Sequence, residues 1–124
     1  MCKLIETPSG FDLWIPPNCR ELNVSDDDEL EEFCRSNSDV AVLWDGTYEN
    51  ICYLEYKDEI RHLEELAEKA WKTKWMLRGV VDEECYLEFV DAISDKEEAE
   101  RLLADIDLEN LTVDELAKII CGRL

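Results

Sequence analysis

From Asp58 to Arg78 the chain reads DEIRHLEELAEKAWKTKWMLR, a run without proline or glycine. Ile60, Leu63, Ala67, Ala70, Trp71 and Lys74 recur there at helical spacing, while Glu64, Glu65, Glu68 and Lys72 can face water. A helix of that length spans roughly 30 Å, so everything else must pack around it. Its acids stand in the first half and its bases in the second, as the helix dipole favours. Glu65–Lys69 and Glu68–Lys72 add acid-before-base pairs at i,i+4. Gly79 supplies a stop.

Upstream the periods are those of strands. Residues 2–6 and 11–15 predict two short strands joined at Thr7-Pro8-Ser9-Gly10, with Phe11, Leu13 and Ile15 alternating against Asp12 and Trp14. Pro16-Pro17 ends that pairing, since proline has no ladder donor. Ser25 predicts the N-cap of a helix to about Ser36, with Asp26, Asp27 and Asp28 in its first turn. Leu30, Phe33 and Cys34 form its apolar stripe. Asp39–Asp45 reads as a buried strand, and Ile51–Tyr56 as its hairpin partner across a turn beginning at Gly46-Thr47.

Downstream the signals are helical. Residues 82–93 fit either a strand or a helix capped by Asp82, and Asp82-Glu83-Glu84 favours the helix. Ser94-x-x-Glu97 and Thr112-x-x-Glu115 read as capping boxes for two more helices. The expected fold is therefore α+β and a single domain over residues 1–124. It comprises a small antiparallel sheet of two hairpins, packed against a long central helix and a C-terminal helical half.

Catalytic signatures are missing, and no enzyme activity is expected. His62 is the one histidine, and it falls on the polar flank of the long helix, away from any Ser or Cys in a nucleophile context. Glu59-x-x-His62 is half of a di-iron carboxylate pattern that needs a second histidine. Asp105-x-Asp107-x-Glu109 begins like a calcium loop, but Asn110 stands where glycine is required and Leu116 where the bidentate glutamate belongs. No phosphate-binding glycine loop occurs. Neither a cofactor nor a metal is expected. Cys2, Cys19, Cys34, Cys52, Cys85 and Cys121 are scattered, without C-x-x-C spacing. Met1–Glu6 does not read as a signal peptide and no stretch is apolar enough to span a bilayer. The cysteines are accordingly expected to be reduced thiols of a cytoplasmic protein, mostly in its core.

Charge is what remains. Against 32 acids stand 13 Lys and Arg, for a net charge of −19. Such a surface repels nucleic acid and anionic lipid and attracts basic proteins. Two clusters concentrate it. Asp26, Asp27, Asp28 and Glu29 with Glu31 and Glu32 form the first. The second extends from Asp82 to Glu115, with fourteen acids against Lys96 and Arg101. Within it Asp82, Glu83, Glu84, Glu88, Asp91, Asp95, Glu97 and Glu98 are the candidate partner-binding residues. Carboxylates at i, i+3 and i+4 lie about 5–6 Å apart, comparable to phosphates along a strand. Trp75, four residues after Trp71, is the candidate aromatic anchor.

Several of these segments resemble the ArdA-type antirestriction proteins. They are Trp14-Ile15-Pro16-Pro17, Asp28-Glu29-Leu30-Glu31-Glu32-Phe33, Val40–Asp45 with Tyr48-Glu49, Leu54-Glu55-Tyr56, Leu63–Glu68 and Glu109–Ala117. That family comprises acidic phage and plasmid products that mimic DNA and inhibit type I restriction enzymes. The likeness is scattered over most of the chain. Leu108 and Asn110 replace the family's glycine and tyrosine in the last segment, and the chain is shorter and richer in Cys and Trp. The resemblance implies a non-enzymatic inhibitor in a bacterial cytoplasm. Charge calls for a basic nucleic-acid-binding partner: a restriction enzyme or CRISPR effector for a nucleic-acid mimic, or a cationic nuclease toxin for the alternative, an immunity protein or antitoxin. A small cytosolic enzyme is the remaining alternative.

Overall fold

The computed structural model describes residues 2–124. In order, the elements are β1 (Lys3–Glu6), α1 (Phe11–Trp14), β2 (Arg20–Glu21), α2 (Asp27–Ser36), β3 (Val40–Trp44), β4 (Ile51–Glu55), α3 (Asp58–Leu77), α4 (Glu83–Ala92), α5 (Lys96–Leu103) and α6 (Val113–Arg123). The class is α+β, as expected, and the 82–93 ambiguity resolves to a helix. Asp82 caps it by accepting from the Cys85 amide at 2.7 Å.

The sheet departs from expectation. Its order is β1-β3-β4-β2, and it is mixed rather than antiparallel. Only β3 and β4 form a hairpin. β1 runs parallel to β3, Lys3 opposite Ala41 and Glu6 opposite Trp44, and the two-residue β2 lies antiparallel to β4. The expected second strand, 11–15, is instead the short helix α1. Phe11 and Trp14 are buried three apart, and Leu13 is 59% exposed. Tertiary contacts decide this. The Trp14 indole donates to the Ile93 carbonyl at 2.9 Å, and Ser9 and Ser94 hydroxyls meet at 3.1 Å. These tie the segment to the end of α4 instead of to β1.

Alternation along the strands divides the apolar side chains between two faces. Ile5, Ala41, Leu43, Cys52 and Leu54 face the larger core, with Phe11, Trp14 and the buried stripes of α3–α6. Val42, Ile51 and Leu22 face the smaller one, closed by Leu30, Phe33 and Cys34 of α2. The sheet is thus the middle layer. On α3 the inward stripe is Ile60, Leu63, Ala67, Ala70, Thr73 and Leu77, each large apolar member stabilising by about 1.5–3 kcal/mol. Trp71, expected there, is half-buried at the flank, where its indole donates to the Glu6 carbonyl at 2.8 Å. Of the two expected α3 ion pairs, Glu68–Lys72 forms at 2.9 Å.

Caps shift by one residue in two places. Asp26, not Ser25, caps α2, and Asp95, not Ser94, caps α5. Ser94 Oγ donates to the Val90 carbonyl instead. The Thr112–Glu115 capping box forms as expected.

The cysteines are the second correction. They pair as disulfides, Cys2–Cys34, Cys19–Cys52 and Cys85–Cys121, and only Cys52 is buried. Partners stand 32, 33 and 36 residues apart in sequence, so nothing local in the sequence marks them.

Asp45 locks the β3–β4 turn. It accepts from the Thr47 backbone amide at 3.1 Å, the Thr47 hydroxyl at 2.6 Å and the Asn50 side-chain Nδ2 at 2.9 Å. Partial burial pushes its carboxyl up, and the hydrogen bonds from Thr47 and Asn50 outweigh this, holding it below its ordinary value. A depressed folded value means the stabilisation is present above the unfolded value near 3.8 and is lost as pH falls through the folded one. Asp45→Ala is expected to cost about 1–2 kcal/mol at pH 7. In urea melts across pH the gap between wild type and variant should close toward pH 2. An unchanged gap there would refute the assignment.

Candidate functional site: two acidic faces and an open sheet edge

The first acidic cluster sits on α2. Asp26 accepts from the Glu29 amide at 2.9 Å, while Glu29 Oε2 accepts from the Ser25 amide at 3.1 Å, so both carboxylates serve the helix start. Glu31 is 3.5 Å from Arg35. Asp27, Asp28 and Glu32 are exposed and without a side-chain partner among the described residues.

The second cluster begins on α4 and continues on α5. Asp82 is committed to its cap, and Asp95 accepts from the Glu97 amide at 2.9 Å. Glu98 is held by the Arg101 guanidinium at 2.7 Å and 3.2 Å, and the bond to Glu98 raises the Arg101 pKa further. Glu83, Glu84, Glu88, Asp91 and Glu97 are exposed and partnerless among the described residues.

Of the fourteen candidate acids, eight therefore remain uncommitted: Asp27, Asp28, Glu32, Glu83, Glu84, Glu88, Asp91 and Glu97. α2 packs on one face of the sheet and α4 and α5 on the other. The two clusters are not brought into one patch; the sheet stands between them.

Trp75 is 60% exposed, with the Arg78 guanidinium 5.4 Å from its ring. It lines a groove of about 700 Å³ between α3 and the outer edge of β1, together with Leu4 and Trp71. Sequence reading picked out Trp75 but missed the groove. Its other wall is an edge strand, and edge status depends on sheet order.

A second cleft, of about 670 Å³, runs between the Leu13–Asn18 segment, α3 and α5. His62 is exposed at its rim beside Lys57, Lys69 and Lys96, and Leu54, Leu63 and Leu103 form its apolar wall. No serine, threonine, cysteine or tyrosine lines it, so His62 has no hydroxyl or thiol there to activate. Lys57 and Lys96 pair with Glu55 and Glu100 at 3.5 Å and 3.0 Å. The described residues contain no group of three or more His, Cys, Asp or Glu placed to hold a metal, and no helix among them is long and apolar enough to cross a membrane. Comparison with models of protein families, with curated proteins and with solved structures returns no match for this chain.

Proposed function

We propose that the chain is a non-enzymatic inhibitor whose carboxylates occupy the nucleic-acid site of a basic host defence enzyme, of the restriction or CRISPR type. The observation that carries this is the set of eight exposed, partnerless carboxylates on α2, α4 and α5, distributed over both faces of the sheet. A duplex presents charge on every side of its axis, and a basic channel that wraps it meets phosphates from more than one direction. Acids on both faces fit a channel of that kind. One compact patch would fit a flat cationic surface better. Binding releases the counterions of both partners, as DNA binding does.

Kinship with the ArdA-type proteins belongs to the same proposal, and so does placement in a bacterial cytoplasm, where those enzymes work. The three disulfides weigh against a reducing compartment, and the thiol state inside cells decides that point. A second reading is favoured by one observation, the exposed Trp75 beside a groove. It is an immunity protein or antitoxin that neutralises a cationic nuclease toxin through an aromatic anchor.

The test uses a variant carrying Asp27→Asn, Asp28→Asn, Glu32→Gln, Glu83→Gln, Glu84→Gln, Glu88→Gln, Asp91→Asn and Glu97→Gln. From bacterial lysate at low salt, the wild type is expected to retain a DNA-binding enzyme that added duplex DNA displaces. The variant should bind that enzyme at least about a hundredfold more weakly, with a shallower salt dependence. Capture that duplex DNA leaves untouched, and that the variant retains, would eliminate mimicry and leave the second reading.

A further inference from the structure

We infer that the open edge of β1 takes an extended, lysine- or arginine-rich segment of a partner protein by strand addition. The edge is defined by the register. The Thr7 amide donates to the Trp44 carbonyl at 2.7 Å, so the odd-numbered residues of this strand turn their backbone groups toward β3. The backbone groups of Leu4 and Glu6 consequently turn outward. The Trp71 indole N–H reaches the Glu6 carbonyl from that outer side, which fits the same register and covers one end of the edge. The amide and carbonyl of Leu4 stay open, and its side chain is 51% exposed.

Natural edges are usually blunted by charge, proline or a covering element. Lys3 and Glu6 charge this short edge and Trp71 covers one end of it, and the open part at Leu4 is flanked by a groove. Glu64, Ala67, Glu68, Trp71 and Trp75 form one stripe of α3 running beside β1. Strand addition needs that combination: backbone groups for affinity, and an adjoining trough for alternate side chains. Every second residue of an added strand would lie against Trp71 and Trp75.

Charge selects the occupant. Glu6, Glu64 and Glu68 line the groove with Lys3; Lys72 holds Glu68 at 2.9 Å, and Lys74 and Arg78 stand 4.6 Å and 5.4 Å from the Trp71 and Trp75 rings. The whole chain carries a net charge of −19. A cationic segment is drawn in by the field of the whole chain. A second copy of this chain is repelled by the same nineteen charges and would have to bring its own Glu6 and Glu64 alongside these.

None of the eight carboxylates in the inhibitor proposal lines this groove, so the two stand or fall separately. The probe is an end-capped eight-residue peptide of alternating valine and lysine, with a valine–glutamate peptide as control. Titration of the full chain is expected to shift Trp fluorescence and to slow exchange of the Leu4 amide, and the control should do neither. Leu4→Pro removes the outward donor and leaves the amides that face β3. It should weaken the valine–lysine peptide about tenfold, with Thr7 amide protection unchanged as the check on folding. Trp75→Ala, at an exposed position, should weaken it by a similar factor. Four results would overturn the inference: equal binding of the glutamate peptide; a fluorescence shift without Leu4 protection; undiminished binding by a folded Leu4→Pro or Trp75→Ala protein; or, without peptide, a concentration-dependent dimer that Leu4→Pro abolishes, which would assign the edge to a second copy.

Discussion

Dithiothreitol is expected to lower the thermal midpoint of the oxidised protein by about 20 °C or more. Each disulfide closes a loop of similar size, the partners lying 32, 33 and 36 residues apart. In the chain-entropy treatment, loops of that size contribute roughly 3–4 kcal/mol apiece. Three of them are comparable to the whole stability of a domain, about 5–15 kcal/mol. The near-equal loops make the entropic part nearly the same for each bond, so burial sets the ranking. Cys52 is 4% exposed within the main core and Cys121 is at the surface. Replacing Cys19 and Cys52 by alanine should therefore cost more than replacing Cys85 and Cys121, because it also leaves a small void beneath the sheet. Melts with and without reductant, together with peptide mapping of the unreduced chain, check both points. Six free thiols and one midpoint under both conditions would refute the pairing and remove the objection to a cytoplasmic site of action.

Gly10→Ala should cost as much as one of these disulfides, about 3 kcal/mol or more. Two separate causes converge on that residue. Gly10 has φ of +94°, a conformation that a residue with a Cβ adopts at a cost. A Cβ placed there would also meet the carbonyl oxygen of Ser94 at 2.3 Å and its carbon at 2.9 Å, both backbone atoms that no rotamer change moves. The Gly10 carbonyl meanwhile accepts from the Leu13 amide at 2.8 Å to start α1. Relief requires the start of α1 to lift from the α4–α5 junction, taking the buried Trp14–Ile93 hydrogen bond with it. Chemical denaturation measures the loss. Gly122→Ala, at a site with nothing within 4 Å of an added Cβ, is the control and should be close to neutral or slightly stabilising. Equal, small effects at both positions would show that the junction yields.

Sequence reading succeeded where local chemistry decides structure. The long helix, the Asp82 cap and the Thr112–Glu115 box follow from residues within four positions of one another, and the β3–β4 hairpin from two adjacent strands paired across one turn. It failed where distant contacts decide. Phe11-Asp12-Leu13-Trp14-Ile15 alternates well enough for a strand, yet Ile93 and Ser94 hold it as a helix from about eighty residues away. A two-residue strand such as Arg20–Glu21 is too short to show any period, and the parallel partner of β1 carries no mark in either strand. The cysteine pairs were invisible for the same reason. The acids themselves were legible as candidates, since charge is read directly. Their division between the two faces of the sheet was not, because it depends on which side α2 packs.

That long-range dependence also sets an order of assembly. The hairpin β3–β4 and the helix that follows it are contiguous in the chain, so they can form as soon as residues 40–77 are available. β1 has no pairing partner until β3 exists. The indole of Trp14 has no acceptor until the end of α4 is in place. The segment of β1 and α1, made before its partners, is thus among the last to find its position, and Ile5, Phe11 and Trp14 wait uncovered until those partners are made. A net charge of −19 opposes association between copies of the chain while that strand is unpaired and that tryptophan uncovered.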